Sequence, residues 1–176
     1  MFEGWDNFYL MIGPAAAGLI GLLFIVVTLT AGLERSQSSN GQPLYLTPTA
    51  LHFGVVLTIS AIAMAPRLGP ATVGIGIGLA SLVGLVHAIR SCLGIRRLRH
   101  STDNPHWSDL WCYGVVPTLV YFGLCGVTVA LGLGDAWAPP ALAALLLGLL
   151  LISIRNAWDL VTFIAPMTRP GGSSPP

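Results

Sequence analysis

Five stretches of this chain are almost unbroken apolar sequence of about 20 residues each, the length a helix needs to cross a hydrocarbon core of roughly 30 Å. They run 8–31, 48–65, 71–93, 110–133 and 139–165. No other feature constrains the fold as strongly. Inside a bilayer every backbone N–H and C=O must be satisfied within the segment or by a closed sheet, and runs of this length select the helix. Composition agrees: 54% of residues are hydrophobic and 9% charged, against roughly 25% charge in a soluble domain. The longest connections, 32–47 and 94–109, are too short for a separate extramembrane domain. The expectation is an all-α, polytopic transmembrane helix bundle, one domain over residues 1–168, followed by a disordered Gly/Ser/Pro-rich tail at 169–176, "RPGGSSPP".

The basic residues orient the bundle. There is no lysine, and Arg90, Arg96, Arg97 and Arg99 gather at the end of the third span in "RSCLGIRRLRH". The positive-inside rule puts that end in the cytoplasm. Arg35 and Arg169 then also lie inside and Arg67 outside, so the N-terminus is expected outside and the C-terminus in the cytoplasm. The start, "MFEGWDNF", carries Glu3 and Asp6 where a secretory signal would carry basic residues, so the first span is expected to be permanent. Trp5, Trp107, Trp111, Trp137 and Trp158 all fall near span ends, as interfacial anchors do.

Small residues mark where membrane helices approach closely. The first span has Gly13, Ala17 and Gly21 at four-residue spacing, and the third has Gly76, Ala80 and Gly84, with His87 and Ser91 on the same stripe. In the fifth span Ala141, Ala144 and Gly148 share one side with Arg155 and Asp159, all within about 40° on an ideal helix. A charge aimed at lipid costs several kcal/mol, whereas one aimed into the bundle can be paired. Arg155 and Asp159, four residues apart, are therefore expected to form an ion pair facing protein.

Depth counting gathers the remaining polar side chains. At ~1.5 Å per residue, Arg155 is about 24 Å beyond Pro139, and His52 is roughly 6 Å beyond Pro48 from the cytoplasmic side. His52, His87, Arg155, Asn156 and Asp159, with Cys112 and Tyr113 beside them, are expected in one polar layer near that side. Pro14 and Pro117 lie inside spans, freeing the carbonyls of Leu10 and Tyr113.

No motif points to catalysis. The "VGIGIGLASL" glycines lack the lysine and the preceding strand of a phosphate loop. No nucleophile has the neighbours that hydrolysis needs, and two histidines fall short of a zinc ligand set. Cys92, Cys112 and Cys125 form no C-x-x-C, and no disulfide is expected. The expectation is a non-enzyme with no metal, haem or other cofactor and no nucleic-acid partner.

The blocks "WDNFYLMIGPAAAGLIGLLFIVVTLT", "LTPTALHFGVVLTISA", "WSDLWCYGVVPTLVY" and "SIRNAWDLVTFIA" together resemble a group of small bacterial integral membrane proteins with about five spans and no assigned activity. The resemblance implies a bacterial inner-membrane location. Two function classes follow. One is an accessory or scaffold subunit that packs against a membrane complex or further copies of itself. The other is a small oligomeric channel or transporter using the polar layer. Scarce polar residues in the outer half of every span favour the first.

Overall fold

The structure, a computed structural model, describes residues 2–30, 42–99, 108 and 110–164. Within them the chain forms α1 (Asp6–Thr30), α2 (Gln42–Met64), α3 (Pro70–Arg99), a π-helical turn (Leu110–Val115) running into α4 (Val116–Leu133), and α5 (Ala138–Ile164). Five helical runs are long and apolar enough to cross a membrane. The chain is a multi-pass membrane protein. The tail 169–176, the connection holding Arg35, and Trp107 lie outside the described residues.

Two boundaries differ from expectation for physical reasons. α2 starts at Gln42 and carries Pro48 inside it. Pro48 sits within the first two turns, where the missing hydrogen bond falls close to the helix start and costs less than in mid-helix. α3 runs on to Arg99 rather than stopping near 93, because arginines near a helix C-terminus complement its dipole, and Arg96 and Arg97 are exposed there.

The short turns lie at the same end of the bundle as the start of α1. In one, Arg67 adopts a left-handed backbone (φ 63°). In the other, Gly134 (φ 80°) caps α4, its N–H reaching the carbonyls of Ala130 and Leu131, the usual left-handed helix stop. Asp6, Arg67 and Asp135 thus share one end. Arg96 and Arg97 mark the opposite end, where their side chains are exposed.

α2 and α5 are the inner helices. α2 packs on α1, α3 and α5, while α5 also touches α4 and α1, and α3 lies along α4. Phe53, Val56 and Ile59 of α2 meet Leu142, Leu146 and Leu149 of α5 in one cluster that also takes in Ile77, Leu124 and Ala16. The outside is equally apolar, with Leu10, Phe24, Leu79, Phe122 and Leu151 exposed, as a lipid-facing surface requires.

Candidate functional site

The polar side chains of the bundle interior are organised by a proline. Pro117 has no N–H to give, and over Leu110–Val115 the chain takes a π register. Continuing that register sets the missing donor opposite the carbonyl of Cys112, where an α register would set it opposite Tyr113. Asn156 supplies the substitute: its Nδ2 donates to the Cys112 carbonyl at 2.9 Å. The Tyr113 hydroxyl donates back to the Asn156 carbonyl at 2.7 Å, and Thr118 Oγ1 donates to the Gly114 carbonyl at 2.7 Å. Gly114 lets this turn lie against α3, since a Cβ there would come within 3.0 Å of the Cys92 backbone.

Asn156 connects this clasp to the charges. Arg155 Nη1 donates to Asn156 Oδ1 at a long 3.4 Å, and Arg155 Nη2 pairs with Asp159 Oδ2 at 2.9 Å. Asn156 is fully buried, whereas the Arg155 and Asp159 side chains are 40% and 39% exposed. The pair forms at the expected spacing but at the rim of the core. Going round α5, the buried row of Leu142, Leu146, Leu149, Ser153, Asn156 and Leu160 lies roughly 120° from the Gly148, Arg155 and Asp159 side.

A second polar level sits deeper. His52 Nδ1 is 2.8 Å from the Tyr121 hydroxyl, with the rings 5.4 Å apart. Gly84 makes this possible: a Cβ there would overlap the Tyr121 ring. Histidine from α2, glycine from α3 and tyrosine from α4 therefore meet at one point. His87, one turn along α3 from Gly84, is half-buried.

The two levels are separated by about 12 Å, the rise over the eight residues from Tyr113 to Tyr121. Arg155, Asn156, Asp159, Cys112 and Tyr113 come together; His52 and His87 stand apart from them with Tyr121. The single expected layer divides because depth counting does not fix which helix a side chain meets: His52 reaches Tyr121 of α4, about 12 Å along that helix from Tyr113.

The small residues also divide. Gly13 faces Ser60, where an added Cβ would come to 3.0 Å of the serine Cβ, and Gly76 faces Ile62. Ala17 and Gly21 point outward, with open space at Gly21, because a four-residue row drifts about 40° per step round a helix. The buried row of α1 is instead Tyr9, Ile12, Ala16 and Leu23. Ala80 is half-buried and Ala144 exposed, and nothing contacts the Gly148 position.

Tyr121, Tyr9 and Ser60 are site residues that the sequence reading passed over. A tyrosine in the middle of a span, away from the interface where its hydroxyl would be wet, was the available signal. Tyr9 Oη, Ser60 Oγ and His52 Nε2 are buried without a hydrogen-bond partner among the described residues. Val56 and Ile59, both fully buried, lie between Ser60 and His52 along α2, so apolar side chains separate these two polar groups on that helix. Cys92, Cys112 and Cys125 form no disulfide among the described residues, which also hold no group of three metal-binding side chains.

On the outer surface, α2 and α3 leave a groove of about 420 Å³ between Leu51, Gly54, Val55 and Thr58 on one side and Gly76, Leu79, Ala80 and Val83 on the other. No family model, curated protein or solved structure matches the chain.

Proposed function

We propose that this chain is a non-enzymatic accessory or scaffold subunit of the bacterial inner membrane, whose outer surface receives a transmembrane helix of a larger complex or of a second copy. The observation that carries this reading is the α2–α3 groove. Its small residues Gly54 and Ala80 leave room for a helical backbone, and close backbone approach is what favours helix association in lipid. A Cβ at Gly54 meets open space within the monomer. Gly54→Leu therefore fills the groove without disturbing the bundle. The expected result is loss of the associated subunit by native mass spectrometry from mild detergent, with helix content and unfolding midpoint unchanged. An assembly mass indifferent to Gly54→Leu, or a wild type that is already monomeric, contradicts the proposal.

The same reading holds the N-terminus outside and the C-terminus in the cytoplasm. It is supported by the exposed Arg90, Arg96 and Arg97 towards the end opposite Asp6 and Asp135. A cysteine placed at position 101, between α3 and α4, in a background without native thiols should resist impermeant maleimide from the periplasm. Labelling from that side reverses the topology.

One observation favours the second reading, an oligomeric channel or transporter. The Arg155–Asp159 pair is half-exposed on a membrane-spanning helix, where a neighbouring subunit would complete a polar path. Ion flux from the purified protein, abolished by Asp159→Asn with the assembly intact, selects it.

A further inference from the structure

We infer that His52 Nε2 binds a buried water molecule, and that this water is shared with His87, so that His52, Tyr121 and His87 form one hydrogen-bonded unit across α2, α3 and α4. The inference is independent of the scaffold reading.

The argument starts from the imidazole. His52 is fully buried, and its Nδ1 is engaged by the Tyr121 hydroxyl. If Nδ1 accepts from the tyrosine, Nε2 carries a proton with nowhere to go; if Nδ1 donates, Nε2 is a bare acceptor. Either tautomer leaves Nε2 without a partner among the described residues, and an unpaired polar atom in an apolar interior is costly. Rotating the ring does not help, because it breaks the 2.8 Å contact with Tyr121.

Ser81 of α3 donates to the Ile77 carbonyl at 2.7 Å, and Ser60 of α2 lies about 12 Å along the helix from His52, so neither hydroxyl serves Nε2. His87 is different. It lies on the same face of α3 one turn from the Gly84 notch that seats Tyr121, the tyrosine that holds His52, and its ring makes no hydrogen bond among the described residues. A direct bond between the two rings is not formed, and a bridging water satisfies both. Internal waters occur where two or more polar groups converge in an otherwise closed interior.

The test uses the full chain in nanodiscs with ¹⁵N-labelled histidine, reading magnetisation transfer between bulk-exchangeable water and the His52 ring. A water contact at His52 Nε2 is expected, and His87→Leu, at a half-exposed position that the fold tolerates, should weaken it at least severalfold while the Tyr121 contact at Nδ1 persists. Absence of any water contact at Nε2, or its replacement by a protein proton, overturns the site. A water contact unchanged in His87→Leu overturns the sharing with His87.

Discussion

At Gly84 an added methyl group would overlap the ring of Tyr121, and at Gly21 it would meet open space. The obstacle at Gly84 is a fully buried aromatic held by His52, so it cannot swing aside as a flexible side-chain end could. Gly84→Ala should destabilise the bundle by about 1–3 kcal/mol, the cost of overpacking a closed core. Gly21→Ala should be neutral or stabilising by up to about 1 kcal/mol, the helix-propensity difference. Equilibrium unfolding in mixed micelles separates the two cases, and equal effects would mean that Tyr121 does not occupy the Gly84 notch. The same contrast explains why small residues alone were a partial guide. Spacing places Gly84 and Gly21 in similar rows, but only the neighbouring helix decides which row is filled.

At the level of elements, α4 and α5 are joined by two reciprocal hydrogen bonds between Asn156 and the π turn. Pro117 made a disturbed helix legible in the sequence. The register of the disturbance was not, because α and π turns bury similar side chains over so short a run. α5 shows a related limit. Its small and charged residues share one side, yet the core contacts come from a leucine row about a third of a turn away, since in lipid both large and small apolar faces are free to pack. For the Arg155–Asp159 pair this lowers the expected coupling. A buried pair would cost about 3–5 kcal/mol when one partner is removed, but at 40% and 39% exposure the coupling should fall to roughly 0.5–1.5 kcal/mol. A double-mutant cycle of Arg155→Ala and Asp159→Ala reads this directly. Additive losses would show that the two side chains act independently.

For the whole molecule, five spans were legible because bilayer thickness sets a length that the sequence must meet. Arrangement was not. Helices apolar on every side carry no signal for neighbour order, and the His52–Tyr121 contact joins residues 69 positions apart on different helices. Once assembled, the bundle turns many large apolar side chains outward to lipid, Leu10, Phe24 and Phe122 among them, and holds the Asn156 clasp and the His52–Tyr121 pair at separate depths. The α2–α3 groove, lined partly by glycine and alanine, is where this surface is shaped for another helix. Site-specific photo-crosslinking in native membranes tests that claim most directly, with the probe at Thr58 in the groove and a control at Phe122, which faces outward on α4 at 72% exposure. The account predicts a single protein adduct from position 58, either a second copy of this chain or one recurrent partner, and only lipid adducts from position 122. Lipid adducts alone from both positions would contradict it.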